Sequence, residues 1–286
     1  RTMNSVLLSI VIPTYNRPRL LQRAVKSALE QTIEDLDIVV VDDGSAPPVR
    51  LPEHPRLRVI RLPSNRGLAT ARNVGTEAAR GKWIAYLDDD DQLLPHFAEA
   101  SLNSLAQTTL PTPVAVLSGL QSVTEDGELI RTHLPPTFPR GSHFSLEKID
   151  RGQSFFSKQT LVVERTVILE IGGFDESFGS FTHSEIFLRL NPVCSILGLP
   201  VVTYRQVRHA GPRVSRDPYL RQLNFNRFIS KHKSLLQSHP RGFADLVYEH
   251  ARRSYRDRNY RAAICSLGWA IRLHPLHTLG RVTSFF

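Results

Sequence analysis

The sequence is poor in the features that mark secreted, membrane-spanning and disulfide-stabilised proteins. It has two cysteines, Cys194 and Cys265, among 286 residues, too few for a disulfide framework and without metal-binding spacing. No apolar run approaches the roughly 18 residues that a membrane-spanning helix needs. The N-terminus leads into a strand pattern without a secretory signal. We therefore expect a cytoplasmic protein in a reducing environment.

Two frequent nucleotide-binding motifs are missing as well. The first predicted strand is not followed by Gly-x-Gly-x-x-Gly, and no Gly-Lys-Ser/Thr loop occurs. These absences argue against a dinucleotide-binding domain and against a P-loop protein. The chain is 41% hydrophobic and 22% charged, which suits one large or two modest globular domains.

Positive charge is concentrated in the last third of the chain. The formal net charge is +9. Residues 205–286 hold 16 Lys and Arg against 4 Asp and Glu, whereas residues 1–204 hold 20 against 23. A basic segment of this kind can contact nucleic acid, anionic lipid or an acidic glycan, or it can simply form a solvated face.

The first ninety residues alternate between strand and helix patterns, which predicts a parallel sheet covered by helices. Strands are predicted at Val6–Pro13, Asp37–Val41, Leu57–Leu62 and Trp83–Leu87, with helices after Pro18 and after Gly67. Farther along, residues 132–153 are interpreted as a long loop, 155–163 as a strand and 184–190 as a helix.

Four consecutive aspartates, Asp88 to Asp91, follow the last of these early strands. Carboxylates this close repel each other, so the cluster needs a cation or a retained proton. Hard divalent ions such as Mg²⁺ and Mn²⁺ take oxygen ligands. A solvated acidic turn, or a helix cap at Asp91, is the alternative. Its position after a strand favours a ligand site, because ligands in open α/β sheets bind at the carboxyl ends of the strands.

Several ordered blocks resemble the inverting glycosyltransferases of family 2, which have the nucleotide-diphospho-sugar transferase (GT-A) fold. The resemblance covers about residues 5–212. The blocks are IVIPTYNR at 10–17, VVVDDGS at 39–45, NRGLATARNVG at 65–75, LDDDD at 87–91, GGFDE at 172–176 and YRQVRHAGP at 204–212.

The resemblance implies an open, mostly parallel GT-A sheet flanked by helices over residues 5–212, with a basic helical extension over 213–286. It implies inverting transfer of a sugar from a nucleoside diphosphate-sugar, with a UDP-sugar as the expected donor. The acceptor would be a hydroxyl of a glycan, a lipid-linked molecule or a small molecule. The implied cofactor is Mn²⁺ or Mg²⁺, which would neutralise the leaving diphosphate.

The resemblance also implies the site residues. Asp43 would bind the base and Asp88 the ribose or diphosphate. Asp90 and His209 would form the metal site, where His209 can approach the metal or the diphosphate. The full set implied for nucleotide binding is Pro13, Thr14, Tyr15, Asn16, Arg17, Asp42, Asp43, Arg72, Asp88 and Asp89.

The chain departs from the family pattern at the catalytic base. Family members usually carry Glu-Asp before a helix that ends in Leu-Arg-Leu, and that Asp deprotonates the acceptor. Counting back from Arg189, His183 takes the position of the base and Thr182 replaces the Glu. An imidazole can act as a general base near neutral pH, and Glu185 is a second candidate. The alternative is a nucleotide-sugar-binding module that has lost catalysis.

Residues 243–255 and 260–273 are predicted to form two antiparallel helices, and the second resembles half of a tetratricopeptide repeat. One such pair is too short for a solenoid. It is interpreted as a helical appendage, either purely stabilising or able to dock on the inner face of an anionic membrane. A nucleic-acid-binding function is suggested by the basic tail alone. We consider it weaker than sugar transfer and weaker than nucleotide-sugar binding without catalysis.

Overall fold

The structure is a computed structural model that describes residues 7–209, 211 and 217–283. Val6, predicted to begin the first strand, and the predicted domain boundary at 212/213 lie outside these residues. The chain forms two compact units. Unit 1 comprises Arg1–Ser142 and Ile149–Gly211, and unit 2 comprises His143–Lys148 and Pro212–Phe286. The sequence did not predict that the short internal segment groups with the C-terminal unit.

Unit 1 is built on one mixed sheet with helices. Its strands are β1 (Leu8–Thr14), β2 (Leu36–Asp42), β3 (Leu57–Arg61), β4 (Trp83–Tyr86), β5 (Gln92–Leu93), β6 (Val114–Thr124), β7 (Leu129–His133), β8 (Val162–Glu164) and β9 (Ser195–Arg208). Its α-helices are α1 (Pro18–Leu29), α2 (Leu68–Ala78), α3 (Phe97–Gln107), α4 (Arg165–Glu170) and α5 (Thr182–Leu190). The predicted fold class, an α/β sheet flanked by helices with a helical C-terminus, is confirmed.

The first half of the sheet is parallel, as the alternation of strands and helices predicted. β1 lies between β2 and β4 and runs parallel to both, and β3 pairs in parallel with β2. Thr14 is in register with Asp42 at the carboxyl ends of β1 and β2. The loops that follow β1, β2 and β4 therefore share one edge of the sheet.

The second half of the sheet is mixed, and one predicted strand is wrong over most of its length. The order along the sheet is β3-β2-β1-β4-β8-β6-β9-β5, with β7 paired to β6. β8 is antiparallel to β4 and β6, whereas β6 and β9 are parallel. The strand predicted over 155–163 is instead a 3₁₀ helix at Phe155–Thr160, followed by the short β8. The Ser154 hydroxyl accepts from the Phe156 N–H at 3.2 Å, a local bond that competes with sheet pairing.

The core of unit 1 explains the unbroken hydrophobic runs in the sequence. Every residue of β1 and of β2 is buried, as expected for strands that are covered on both faces. Helix α2 lies close to these strands because it carries Gly75. A Cβ atom at this position would overlap Val11 Cγ1 and lie 3.2 Å from Val41 Cγ2.

We expect Gly75→Ala to lower the free energy of unfolding by about 1–3 kcal/mol, because the added methyl overpacks the contact between α2 and the sheet. Gly268 is a matched control. It is exposed in a helix of unit 2, and a Cβ there would meet nothing within 4 Å. Gly268→Ala should be neutral or stabilising by up to about 1 kcal/mol. Urea denaturation of both variants measures the difference, and equal effects would contradict this packing argument.

Unit 2 is helical. Its helices are α6 (Pro218–Lys231), α7 (Lys233–Ser238), α8 (Pro240–Arg256), α9 (Tyr260–Leu273) and α10 (Pro275–Thr283). The two helices predicted over 243–255 and 260–273 correspond to α8 and α9, and α10 was not predicted. Asn259 begins α9, where its side chain accepts from the Ala262 N–H at 3.2 Å, an N-cap that fixes the start of the helix.

All four acidic residues of the basic C-terminal segment have partners inside unit 2. Asp217 caps α6, and Asp257 pairs with Arg221. Asp245 and Glu249 both accept from Arg281, at 2.5 and 2.6 Å. Among the described residues, no helix combines the length and the apolar character that crossing a bilayer requires.

Candidate active site

The aspartates after β4 are tied to the loop after β1. Thr14 donates to Asp89 Oδ2 at 2.7 Å, and Arg17 donates to Asp89 Oδ1 at 3.0 Å. Asp89 is 5% exposed, and its burial raises its pKa to about 6, against the opposing effect of Arg17. The loops after β1 and β4 therefore meet through direct side-chain contacts.

Asp90 lies between two cationic or protonatable groups. Arg17 donates to its Oδ2 at 3.2 Å, and His209 Nε2 lies 2.8 Å from the same atom. The Gly211 N–H donates to His209 Nδ1 at 3.1 Å. This bond makes Nδ1 the acceptor, so Nε2 carries the proton that it donates to Asp90. His209 thus lies beside Asp90 as a hydrogen-bond donor, and its predicted role as a metal ligand stays a prediction.

The two aspartates at the end of β2 organise backbone turns. Asp42 is 1% exposed, and its carboxylate accepts from Ser45 N, Val49 N and Arg61 at 2.8, 3.1 and 2.8 Å. Asp43 accepts from the N–H groups of residues 66 and 67, just before α2, at 2.7 and 2.9 Å. Desolvation nevertheless raises the pKa of Asp43. Nucleotide contacts of Asp42 and Asp43 stay predictions, and the burial of Asp42 does not favour one.

Arg72 is a buried residue that hydrogen-bonds to two parts of the site. It is 1% exposed, donates to Asp88 Oδ1 at 2.6 Å and to Thr182 Oγ1 at 3.0 Å, and lies 5.2 Å from the ring centroid of Phe174. The predicted direct contact of Arg72 with a nucleotide is not favoured, because the guanidinium presents almost no surface to a ligand. Its position instead links the acidic cluster to the first residue of α5.

His183 follows Thr182 at the start of α5, so the Arg72 bridge holds it near Asp88. Its ring lies edge-on to Phe174, with centroids 6.1 Å apart. Burial, followed by the charges of Arg72 and Lys158, lowers the pKa of His183 to about 3, against the opposing effect of Asp88. The imidazole is therefore neutral at pH 7, which is the form that accepts a proton.

Sequence reasoning missed Lys158 and Phe174. Lys158 lies on the 3₁₀ helix that the pattern misassigned as a strand, and burial lowers its pKa to about 8. Phe174 packs edge-on against Tyr86, with centroids 5.0 Å apart, as well as against Arg72 and His183. The GGFDE block gave a signal for Phe174, whereas no sequence signal distinguished Lys158 from other lysines.

Glu185, the second candidate base, is fully buried. Its two oxygens accept from Arg189 at 2.8 and 2.6 Å. The same guanidinium donates to the carbonyl oxygens of Ile171 and Gly173 at 2.5 and 2.7 Å. This bidentate pair fixes the turn before α5 to the helix, and the geometry favours a structural role over proton transfer.

The acidic cluster could hold a divalent ion through two of its members. Ligand oxygens of Asp88, Asp90 and Asp91 all lie within 4.8 Å of one another. Asp91 is 2% exposed and accepts from the Tyr204 hydroxyl and the Val207 N–H, both at 3.0 Å, so it anchors β9. The alternative of a solvated acidic turn is wrong, because Asp89 and Asp91 are buried. Asp88 and Asp90 remain as oxygen donors that suit Mn²⁺ or Mg²⁺.

The remaining predicted residues lie at the rim of the same edge. Pro13 is buried within β1, whereas Tyr15 is 44% exposed. Asn16 has a φ of +53°, its N–H donates to Ser45 Oγ at 2.9 Å, and its side chain accepts from Ala46 N at 2.8 Å. The loops after β1 and β2 are thus bonded to each other. A stacking or hydrogen-bonding role for Tyr15 stays a prediction.

A family model described as Glycosyl transferase family 2 matches residues 9–163, more than half of the chain. The chondroitin synthase of Pasteurella multocida (strain Pm70) is 30% identical over 209 residues, which is 71% of this chain and 21% of that protein. The succinoglycan biosynthesis protein ExoO of Rhizobium meliloti (strain 1021) is 44% identical over 93 residues, 31% of this chain and 26% of that protein. The chain thus spans about a fifth to a quarter of these two curated relatives.

Among solved structures, S. aureus TarS residues 1–349 match with a TM-score of 0.62 and 15% identity, over 95% of this chain and 82% of that one. The same protein in complex with UDP-GlcNAc matches with a TM-score of 0.62 and 16% identity, over the same shares. At this identity the likeness establishes the fold.

Proposed function

This chain belongs to glycosyl transferase family 2, and from that premise we propose that it transfers a sugar from a nucleoside diphosphate-sugar to an acceptor hydroxyl, with inversion. A UDP-sugar is the expected donor, since the structurally similar TarS forms a complex with UDP-GlcNAc. The proposal extends to hydroxyls of a glycan or a lipid-linked molecule as acceptors, because relatives include a chondroitin synthase and a succinoglycan biosynthesis protein.

One observation carries this proposal: Arg72 joins Asp88 of the acidic cluster to Thr182 at the start of α5. The bridge connects residues that are far apart in sequence and places His183 beside the cluster. Inverting transfer needs a base on the acceptor side and charge stabilisation on the leaving-group side. The bridge brings one candidate for each within a single site.

Asp88 and Asp90 would hold the divalent ion at the leaving-group end. When bound, Mn²⁺ or Mg²⁺ would supply Lewis-acid stabilisation of the departing diphosphate. Arg17 and His209, which both contact Asp90, would add hydrogen-bond donors to the charge of the diphosphate. The contacts of Arg17 with Asp89 and Asp90 would hold its guanidinium in place. The nucleotide would lie along the loops after β1 and β2, where Tyr15 offers an exposed ring.

His183 would accept the proton of the acceptor hydroxyl, and Glu185 would position α5. A base with a pKa near 3 has little driving force for proton transfer. The negative charge of a bound donor would stabilise the imidazolium and raise this pKa toward the working range. The replacement of the usual Glu by Thr182 is accommodated here, because the Thr182 hydroxyl accepts the Arg72 hydrogen bond.

The cellular location of the protein also stays a proposal. The four acidic residues of the basic segment 205–286 are all paired inside unit 2. The segment keeps a net positive charge, which suits an anionic surface such as a membrane that carries a lipid-linked acceptor. A cytoplasmic protein in peripheral contact with the inner face of the membrane fits this charge. Nucleic acid fits it less well, since no described feature provides base recognition.

Donor binding is tested by a thermal-shift screen of UDP-, GDP-, CDP- and dTDP-sugars, each with and without Mn²⁺. A donor at about 100 times its Kd should stabilise the protein by about 2.7 kcal/mol, which corresponds to roughly 5–10 °C in Tm. We expect one UDP-sugar to give this shift with Mn²⁺ and to release UDP when an acceptor is present.

The other outcomes of this screen decide between the alternatives. A metal-dependent shift without nucleotide release with any acceptor would favour the module that has lost catalysis. No shift with any donor would contradict nucleotide-sugar binding itself. Salt-sensitive binding of DNA or RNA in a parallel assay would favour the nucleic-acid function.

A further inference from the structure

A second cluster of possible metal ligands lies in unit 2, apart from the residues assigned to sugar transfer. It consists of His143 and Glu147 from the short segment 143–148, and of His239, which directly precedes α8. One ligand atom from each lies within 4.8 Å of the other two, and all three residues are half-buried. Unlike Asp88 to Asp91, this cluster offers two imidazoles and only one carboxylate.

His239 is already fixed in the orientation and tautomer of a metal ligand. Its Nδ1 lies 3.0 Å from the Leu235 carbonyl oxygen and 3.0 Å from Ser238 Oγ. A carbonyl oxygen only accepts, so Nδ1 carries the proton and Nε2 keeps its lone pair. Histidines that bind metals almost always donate their other ring N–H to a carbonyl or carboxylate in this way.

His143 is a polar ring without a polar partner. Across residues 7–209, 211 and 217–283, neither of its ring nitrogens has a hydrogen-bond partner. The ring lies 4.7 Å from that of His239, centroid to centroid, at an interplanar angle of 59°.

Glu147 completes the set. Its Oε1 accepts from the His143 backbone N–H at 3.1 Å, which closes the segment into a turn and directs the carboxylate toward the two rings. A negative charge beside two neutral imidazoles is unfavourable to bury unless a cation or a proton accompanies it.

From these contacts we propose that His143, Glu147 and His239 form a binding site for a zinc-class transition-metal ion. Imidazole nitrogens select such ions over Mg²⁺ and Ca²⁺, which prefer oxygen ligands throughout. Two histidines and one glutamate give three ligands of a tetrahedral shell, with water as the fourth. Bond lengths of about 2.0–2.2 Å place tetrahedral ligand atoms roughly 3.4 Å apart. Because the ligand atoms lie within 4.8 Å of one another, small side-chain movements would bring them to this separation.

The ion would join two segments that already pack tightly. A Cβ built on Gly242, in the first turn of α8, would lie 2.5 Å from the Leu146 carbonyl oxygen. Phe144 is fully buried, and Leu146 is 6% exposed. A metal bound between His143 and His239 would cross-link segment 143–148 to the start of α8, which gives the site a stabilising function.

The test is zinc titration of the metal-free full-length protein against a competing chromophoric chelator. Wild type should bind one Zn²⁺ tightly. His143→Gln, Glu147→Gln and His239→Gln should each weaken this binding, by at least about 100-fold for the two histidine variants, which exceeds the usual cost of an outer-shell change. His54→Gln and Cys265→Ser are the matched controls, since they remove other zinc-binding groups, and both should bind as wild type does.

Two further measurements keep the result decisive. Co²⁺ should give the intense visible spectrum of a tetrahedral site in wild type, and His239→Gln should abolish it. If a histidine variant fails to fold by circular dichroism, Glu147→Gln, which keeps the acceptor for the His143 N–H, carries the test. The proposal is overturned if wild type binds no zinc at stoichiometric concentration, or if the His143→Gln/Glu147→Gln double variant binds it unchanged. Neither the zinc titration nor the Co²⁺ spectrum depends on sugar transfer.

Discussion

Replacing Asp90 with Asn is expected to lower kcat/KM for sugar transfer by about 10³-fold, equivalent to roughly 4 kcal/mol of transition-state stabilisation. The amide is nearly the same size as the carboxylate, and its oxygen can still accept from Arg17 and His209. The fold should therefore survive. The change removes the charge that would hold a divalent ion against the diphosphate.

The measurement is steady-state turnover of the donor identified by the thermal-shift screen, across a Mn²⁺ titration. Asp90→Asn should need far more Mn²⁺ to reach its reduced maximum and should lose the metal-dependent shift in Tm. Asp126→Asn is the matched control, since Asp126 is exposed in the turn between β6 and β7, and it should behave as wild type. Wild-type activity at the same Mn²⁺ in Asp90→Asn would rule out the metal role of this residue.

Replacing His183 with Ala is expected to reduce kcat by about 10²–10⁴-fold, the usual contribution of a general base. Donor binding should change little, because His183 would act on the acceptor. His183→Asp is the rescue variant, since it restores the carboxylate that the family pattern places at this position. We expect it to recover a substantial part of the activity that His183→Ala loses.

Glu185→Gln separates the two candidate bases. Its buried pair with Arg189 predicts a loss of about 2–4 kcal/mol in the free energy of unfolding, somewhat moderated because Arg189 is partly exposed. The folded fraction should keep kcat within about tenfold of wild type. Urea denaturation and kcat are measured on the same preparations. Full activity in His183→Ala, combined with a collapse of kcat in a well-folded Glu185→Gln, would exchange the two assignments.

The parallel half of the sheet and the meeting of three loops at its edge followed from the sequence. Continuous apolar runs such as Val39–Val41, which is followed by two aspartates, are local signals that do not depend on the tertiary arrangement. The helical start of the 155–163 stretch, in the mixed half, did not follow, because this stretch has the composition of a strand. In this stretch, Ser154 caps a 3₁₀ helix. The cap depends on the surrounding structure, which the hydrophobic periodicity of the sequence does not report.

The sequence blocks predicted which residues gather at the acidic edge of the sheet, whereas the role of each residue stays a prediction. Arg72 was predicted to face the nucleotide, and this contact stays a prediction. The guanidinium is 1% exposed and donates to Asp88 and Thr182, which does not favour it. Glu185 was the alternative candidate for the base, and its buried pair with Arg189 favours a structural role. Sequence spacing brings charged residues to a site, whereas burial determines which of them can reach a ligand.

The grouping of segment 143–148 with the C-terminal helices has a practical consequence for dissecting this chain. A polypeptide cut after residue 211 would retain Phe144 and Leu146 but lose the α8 turn against which Leu146 packs. Those apolar side chains would then be exposed to solvent, which is a common cause of insolubility in truncated enzymes. Chimeras that exchange the helical C-terminus between relatives should therefore exchange these six internal residues with it.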